Sequence, residues 1–140
     1  MAADHGGFNL KNILVERLKK AGHEVTDIGT QSSESTDYPD YAHKVASAVA
    51  EGTAERGLLV CGSGVGMAIA ANRHKGVRAV NCSDTFTARY SRMHNDANVL
   101  TLGERVVGPG LAADILDLWI STAFSKDESR HAARVAKIEL

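Results

Sequence analysis

Residues 57–67 read Gly57-Leu58-Leu59-Val60-Cys61-Gly62-Ser63-Gly64-Val65-Gly66-Met67, and they decide the fold. An apolar run ends at a cysteine and breaks into a loop with glycine at every second position. A small-residue helical pattern, Ala68 to Asn72, follows at once. A short apolar run bounded by turn residues reads as a buried strand, and the glycines after it as a strand-to-helix turn. The three glycines let the backbone approach a bound group closely, and the first N–H groups of the new helix have no partner inside it. A cysteine beside such donors can hold part of its charge as thiolate. One segment therefore offers an anion cradle together with a base or nucleophile, which suits chemistry on an anionic small molecule.

Outward from this segment, helical and extended patterns alternate. Phe8 to Ala21 places Leu10, Ile13, Leu14 and Leu18 on one helical face, and Gly22 stands at the position that ends such a helix. His23 to Gly29 reads as a short strand and Thr30 to Asp37 as a polar loop. Pro39 suits the first turn of a helix running through Glu51. Val77 to Cys82 is a further strand, Asp84 can cap a helix to about His94, and Asn98 to Leu102 is an apolar strand. Pro109 opens a long amphipathic helix through about Phe124, and a last helix covers Glu128 to Ile138. Asp4-His5-Gly6-Gly7 looks like a strand-to-helix turn, so Met1-Ala2-Ala3 supplies a short fifth strand. Strands alternating with helices predict a five-stranded parallel sheet with helices on both faces, a three-layer α/β architecture. No repeat, low-complexity tract or linker divides the chain, so residues 1–140 are read as one domain.

Ligands of such sheets sit beyond the carboxyl ends of the strands. Three polar clusters fall there: Asp4-His5, Cys61 to Gly66, and Ser83-Asp84. Composition narrows the chemistry. The chain has 140 residues, a usual single-domain size, and a formal net charge of -1, so no global field favours nucleic acid or an anionic membrane. Aromatics are only 5%, which speaks against a base-stacking platform. No apolar run is long enough to cross a bilayer, and the two cysteines read as free thiols in a reducing compartment, so the expected location is cytoplasmic.

Several familiar templates fail on the loop. A Walker A loop ends Gly-Lys-Ser/Thr, and here Met67-Ala68 follow Gly66. The nucleophile elbow has glycine two residues before its serine, where Cys61 precedes Ser63. The dinucleotide fingerprint spaces its last glycine one residue further. Each remaining candidate has a duller alternative. Cys61 could be a small buried hydrophobe, although its place before the loop favours chemistry; Cys82 has no such loop and reads as core. His94, followed by Asn95, either caps a helix end or transfers protons. Arg130 and Arg134 share one helical face, as a solvated basic patch or a phosphate fork, and Arg105 is a third cation at a strand end. Tyr38 and Tyr41 are core-edge aromatics or sugar contacts. No histidine pair has a credible metal spacing with a third ligand, so no metal is expected.

Six blocks occur in order: Asp4-His5-Gly6-Gly7, Asp37-Tyr38-Pro39, Cys61 to Gly66, Ser91 to Leu100, Gly103-Glu104-Arg105, and Arg130-His131-Ala132-Ala133-Arg134-Val135. Together they resemble the type B ribose-5-phosphate isomerase family, which includes the galactose-6-phosphate isomerase subunits. The resemblance covers nearly the whole chain. It implies a cofactor-free aldose–ketose isomerase with a Rossmann-like five-stranded sheet, working as a homodimer or dimer of dimers with active sites at the subunit interface. It implies Cys61 as the base that moves a proton between C1 and C2, His94 as the group that helps open the furanose ring, and Asp4 as its assistant. Ser63, Asn95 and the backbone of Gly62, Gly64, Val65 and Gly66 would hold the enediolate oxygen; His5, Arg105, Arg130 and Arg134 would bind the phosphate; Tyr41 is carried as a sugar contact. Some members place a carboxylate where Met67 stands and lack the cysteine, so this chain falls in the cysteine-base group. Its first strand is shorter than is usual in the family. The expected reaction is interconversion of D-ribose 5-phosphate and D-ribulose 5-phosphate. The rivals are isomerisation of a six-carbon sugar phosphate, a phosphosugar-binding module without turnover and, more weakly, a nucleotide-binding domain.

Overall fold

The computed structural model describes residues 1–139. Strand β1 (Ala2–Ala3) ends at Asp4, whose Oδ1 accepts the Gly6 N–H at 2.9 Å and so starts a single 3-10 turn, His5–Gly7. Helix α1 (Phe8–Lys20) follows, then α2 (Tyr38–Ala50) with Pro39 in its first turn. Next come β2 (Gly57–Cys61), α3 (Val65–Ala71), β3 (Ala79–Asn81) and α4 (Thr85–Asn95). Asp84 caps α4 as its sequence position predicts: its Oδ1 accepts the Thr87 N–H at 2.7 Å. Strand β4 (Val99–Gly103), α5 (Pro109–Ser121) and α6 (Ser129–Ala136) complete the chain. Helix α5 stops earlier than the pattern suggests, with an extended Thr122 at its end.

The strands are all parallel, in the order β1-β2-β4-β3. Side chains alternate across each strand, which makes two layers of core. Leu58, Val60, Leu100 and Leu102 face α1, α4 and α5, where Leu10, Leu14, Ala88, Ile115, Leu116 and Trp119 cover them. Leu59, Cys61 and Val99 face α2 and α3, where Ala42, Val45, Ala46, Met67 and Ala71 lie. Every residue of β2 and β4 is buried, as expected of strands covered on both faces.

The sheet has four strands among the described residues, not the expected five. The segment that fails to join is His23 to Gly29. It runs extended beside β1, and Ile28 and Thr30 donate their N–H groups to Met1 O and Ala3 O, both at 3.0 Å. The Gly29 N–H between them is taken instead by the Asp27 side chain at 3.0 Å. That N–H points away from β1, so this local turn shapes the segment's path without taking a bond from the ladder. What is missing is the return bond from Ala3 N–H to Ile28 O, and Gly29 crosses so closely that a Cβ on it would stand 2.5 Å from Ala3 N. Asp27 is itself held by the buried ammonium of Lys11 on α1. A polar anchor fixes this edge, and period-two hydropathy alone does not reveal it.

Candidate active site

Neighbouring strands β1 and β2 lead to helices on opposite faces of the sheet, α1 on one and α3 on the other. Their carboxyl ends therefore open a crevice, and two of the expected clusters meet there. Asp4, buried at 6% exposure, is tied to β2 by its N–H on Val60 O at 3.3 Å. Its turn lies directly on the glycine loop: a Cβ on Gly6 would stand 3.0 Å from Gly62 N. Cys61 ends β2. Its side chain is 6% exposed among the α2–α3 cluster, and its sulfur accepts the Gly64 N–H at 3.1 Å. The sulfur is thus buried at the edge of that core cluster, with the Gly64 N–H of the glycine loop upon it.

The loop is braced from three sides. Gly64 has φ +80°, and Thr101, fully buried on β4, donates its hydroxyl to Gly64 O at 2.9 Å. Asn81 on β3 donates Nδ2 to Ser63 O at 3.3 Å, and Ser63 Oγ accepts the Val65 N–H at 3.3 Å. Arg105 follows β4; its N–H donates to Gly62 O at 3.1 Å and its guanidinium lies over Gly62, with Nη1 3.5 Å from where a Cβ would be. The His5 Nδ1 accepts the Thr36 N–H at 3.2 Å, which leaves the proton of the neutral ring on Nε2 as a donor. Tyr38, at the start of α2, packs over Gly66, where an added Cβ would meet its ring at 2.6 Å. Tyr41 is half-buried against the α2–α3 cluster. Asp4, His5, Cys61, the residues 62–66, Arg105 and the first turn of α2 are therefore one constellation.

The other expected residues are elsewhere. Helix α4 runs back from the carboxyl end of β3, so His94 and Asn95 arrive at the amino ends of the strands. The chain just beyond them is level with the start of β2, since Asn98 O accepts the Gly57 N–H at 2.9 Å. Cys61 lies four residues further along β2, about 13 Å at the usual strand rise. The His94 ring stacks flat on His131 of α6, centroids 4.1 Å apart and planes at 10°, and tilts against Tyr90 at 4.8 Å. Arg130 and Arg134 share α6 with His131. Arg130 is exposed and holds Glu128 through Nε at 3.0 Å and Nη2 at 2.6 Å; these contacts keep the Glu128 carboxyl below its ordinary range. Within one chain, the second cluster does not reach the first.

Cys82 behaves as the core residue it was read to be. It is 1% exposed, and burial pushes its thiol up to about 11. Ser83-Asp84 contributes a helix cap. Two surface concavities, of about 530 Å³ and 880 Å³, lie apart from the Cys61 loop, the first around Arg56 and Trp119 and the second between α1 and α5. Among the described residues no group of three or more His, Cys, Asp or Glu is placed to hold a metal ion, and no helix is long and apolar enough to cross a membrane.

The Ribose/Galactose Isomerase family matches over residues 1–138. This chain belongs to that family. It is 52% identical to ribose-5-phosphate isomerase B of Escherichia coli over 135 residues, covering 96% of this chain and 89% of that one. The solved structure of Clostridium thermocellum ribose-5-phosphate isomerase B superposes with a TM-score of 0.95 at 53% identity, covering 98% of this chain and 91% of the other. A D-erythrulose-4-phosphate isomerase of Pectobacterium atrosepticum is 40% identical over 139 residues, covering 99% of this chain and 90% of that one. The family's three-layer α/β architecture with a parallel sheet is the one described above.

Sequence reasoning missed the supports. Thr36, Asn81 and Thr101 touch the loop or His5 across 18 to 37 residues of chain. No local pattern marks a threonine in a strand as the brace of a distant glycine loop.

Proposed function

We propose that this chain interconverts D-ribose 5-phosphate and D-ribulose 5-phosphate through an enediolate, without a cofactor and with Cys61 as the base. The observation that carries the reading is the placement of the Cys61 sulfur at the end of a central strand, held by the Gly64 N–H at 3.1 Å and beside the Asp4 turn. A proton next to a carbonyl is weakly acidic, so its removal needs a positioned base and donors aimed at the oxygen that gains charge. Cys61 takes the proton from C2 of the open-chain aldose and returns it at C1, while the O2 hydroxyl proton passes to O1, so that the carbonyl moves from C1 to C2. Ser63, whose Oγ accepts the Val65 N–H and so keeps its own O–H to donate, and loop N–H groups other than those of Gly64 and Val65 stabilise the developing oxyanion. Arg105 and the Nε2–H of His5 bind the phosphate, whose remote binding energy holds the sugar in the reactive pose.

His94, Asn95, Arg130 and Arg134 then come from a second copy of the chain, in a homodimer or dimer of dimers with shared pockets. What supports this is the separation inside one chain: two sets of residues suited to the same substrate lie at opposite ends of one sheet. The second copy also covers the exposed loop and keeps water from the enediolate.

Two experiments test the reading. Cys61→Ala should lower kcat by about 10²–10⁴-fold, the span of a general base, while a ribose 5-phosphate thermal shift persists. Near-full activity would remove Cys61 as the base. Mixing and refolding Cys61→Ala with His94→Ala, each inactive, should restore about a quarter of wild-type activity, because half the dimers are mixed and each of those has one intact pocket. No recovery would sink the shared pocket. Substrate length is decided by kcat/KM for four-, five- and six-carbon sugar phosphates. The higher identity to a ribose 5-phosphate enzyme than to an erythrulose 4-phosphate enzyme favours five carbons.

A further inference from the structure

His131 has no part in the reaction just described, yet it is one of the few buried polar side chains, at 4% exposure. It sits between Arg130 and Arg134, and its ring lies flat on His94, centroids 4.1 Å apart and planes at 10°. On its edge, Nε2 is 3.0 Å from Glu128 Oε2. That contact is close but lacks the alignment of a hydrogen bond, and Nε2 has no other partner. Glu128 is in turn gripped by Arg130. His94 also meets Tyr90, centroids 4.8 Å apart and planes at 54°, and Tyr90 meets Phe86 at 4.4 Å and 43°, so four rings form a chain of contacts from α4 into α6. A histidine side chain on a helix has two free torsions, and a flat ring stacked on it together with a tilted one in contact removes most of that freedom.

We propose that His131 is the positioning residue for His94: it closes one face of the ring and turns its nitrogen-bearing edge in a single direction, so that the sugar ring opens at a usable rate. This rests on the proposed isomerase reading. Opening breaks the bond between C1 and the ring oxygen O4; the anomeric hydroxyl loses its proton, C1 becomes a carbonyl, and O4 gains a proton. His94 serves one of these transfers, and His131 touches none of the reacting atoms. Misplacing a catalytic group by about 1 Å costs on the order of 10²-fold in rate.

The chemistry of the two sugars supplies a clean test. D-Ribulose 5-phosphate cannot close a five-membered ring, because the oxygen it would need, O5, carries the phosphate. Its C1 proton can be exchanged with solvent through the enediolate with no ring to open. His131→Ala should therefore lower kcat for ribose 5-phosphate by about 10²-fold, leaving solvent-deuterium uptake at C1 of ribulose 5-phosphate at the wild-type rate. His131→Phe, which keeps a flat ring against His94, should recover most of the kcat. Equal losses in isomerisation and exchange would mean a merely structural role and overturn the proposal, as would full activity of His131→Ala on ribose 5-phosphate. A wild-type protein that neither isomerises nor exchanges would instead overturn the underlying isomerase reading.

Discussion

Gly64→Ala puts the loop geometry to its most direct trial. Gly64 has φ +80°, where an L side chain costs roughly 1–2 kcal/mol. A Cβ there would stand 2.3 Å from Asn81 Oδ1 and 2.9 Å from the Leu102 carbonyl carbon. The Asn81 amide can rotate away, but only by giving up its hold on Ser63 O; the Leu102 backbone sits in a buried strand and does not yield. Overpacking of this kind costs about 1–3 kcal/mol. The sum, about 2–5 kcal/mol, corresponds to a fall in Tm of roughly 8–20 °C for a chain of this size. Urea and thermal unfolding followed by circular dichroism would measure it. Activity should drop further than the folded fraction at 25 °C, because the same N–H that must shift is the one holding the Cys61 sulfur. Gly110→Ala is the internal control. It lies in the first turn of α5 with nothing within 4 Å of an added Cβ, and should stabilise by about 0.5–1 kcal/mol. If Gly64→Ala unfolded within 2 °C of wild type, taken here as about half a kcal/mol, the account of a strained, braced loop would be wrong.

Two further outcomes follow from the electrostatics. The Cys82 thiol, buried and pushed up to about 11, should resist alkylation at pH 8 in the native protein and react only at the rate of unfolding; rapid labelling located by peptide mass would contradict its burial. The Asp84 carboxyl is held below its ordinary value of 3.8, first by the Thr87 backbone N–H and then by the Thr87 hydroxyl. A depressed folded value means that its contribution is fully present above about pH 4 and is lost as pH falls through the lower, folded value. Asp84→Asn keeps a capping oxygen without the charge, so it should flatten the acid limb of Tm against pH. An unchanged slope between pH 2 and 4 would show that this cap is electrostatically silent.

The elements were legible in the sequence because their causes are local. The apolar run 57–61, the cap at Asp84, Pro39 and Pro109 in first turns, and the apolar face of α1 each act within a few residues, and each recurs in the structure close to where the sequence places it. The convergence of Asp4 and Cys61 was also legible, since parallel strands put their carboxyl ends on one side. Two things were not. The edge segment 23–29 carries a strand's hydropathy, but it only donates to β1 and takes no bond back, and its path is set by Asp27, which caps the Gly29 N–H while Lys11 holds it from another element. The contacts that hold the two clusters, Thr101 and Asn81 on the glycine loop and His131 and Tyr90 on His94, join residues far apart in the chain or on different elements and belong to the assembled layers. Periodicity, capping and the ends of parallel strands follow from short-range patterns and survive in one dimension; which distant side chain anchors an edge segment or braces a loop is settled only when those segments pack together.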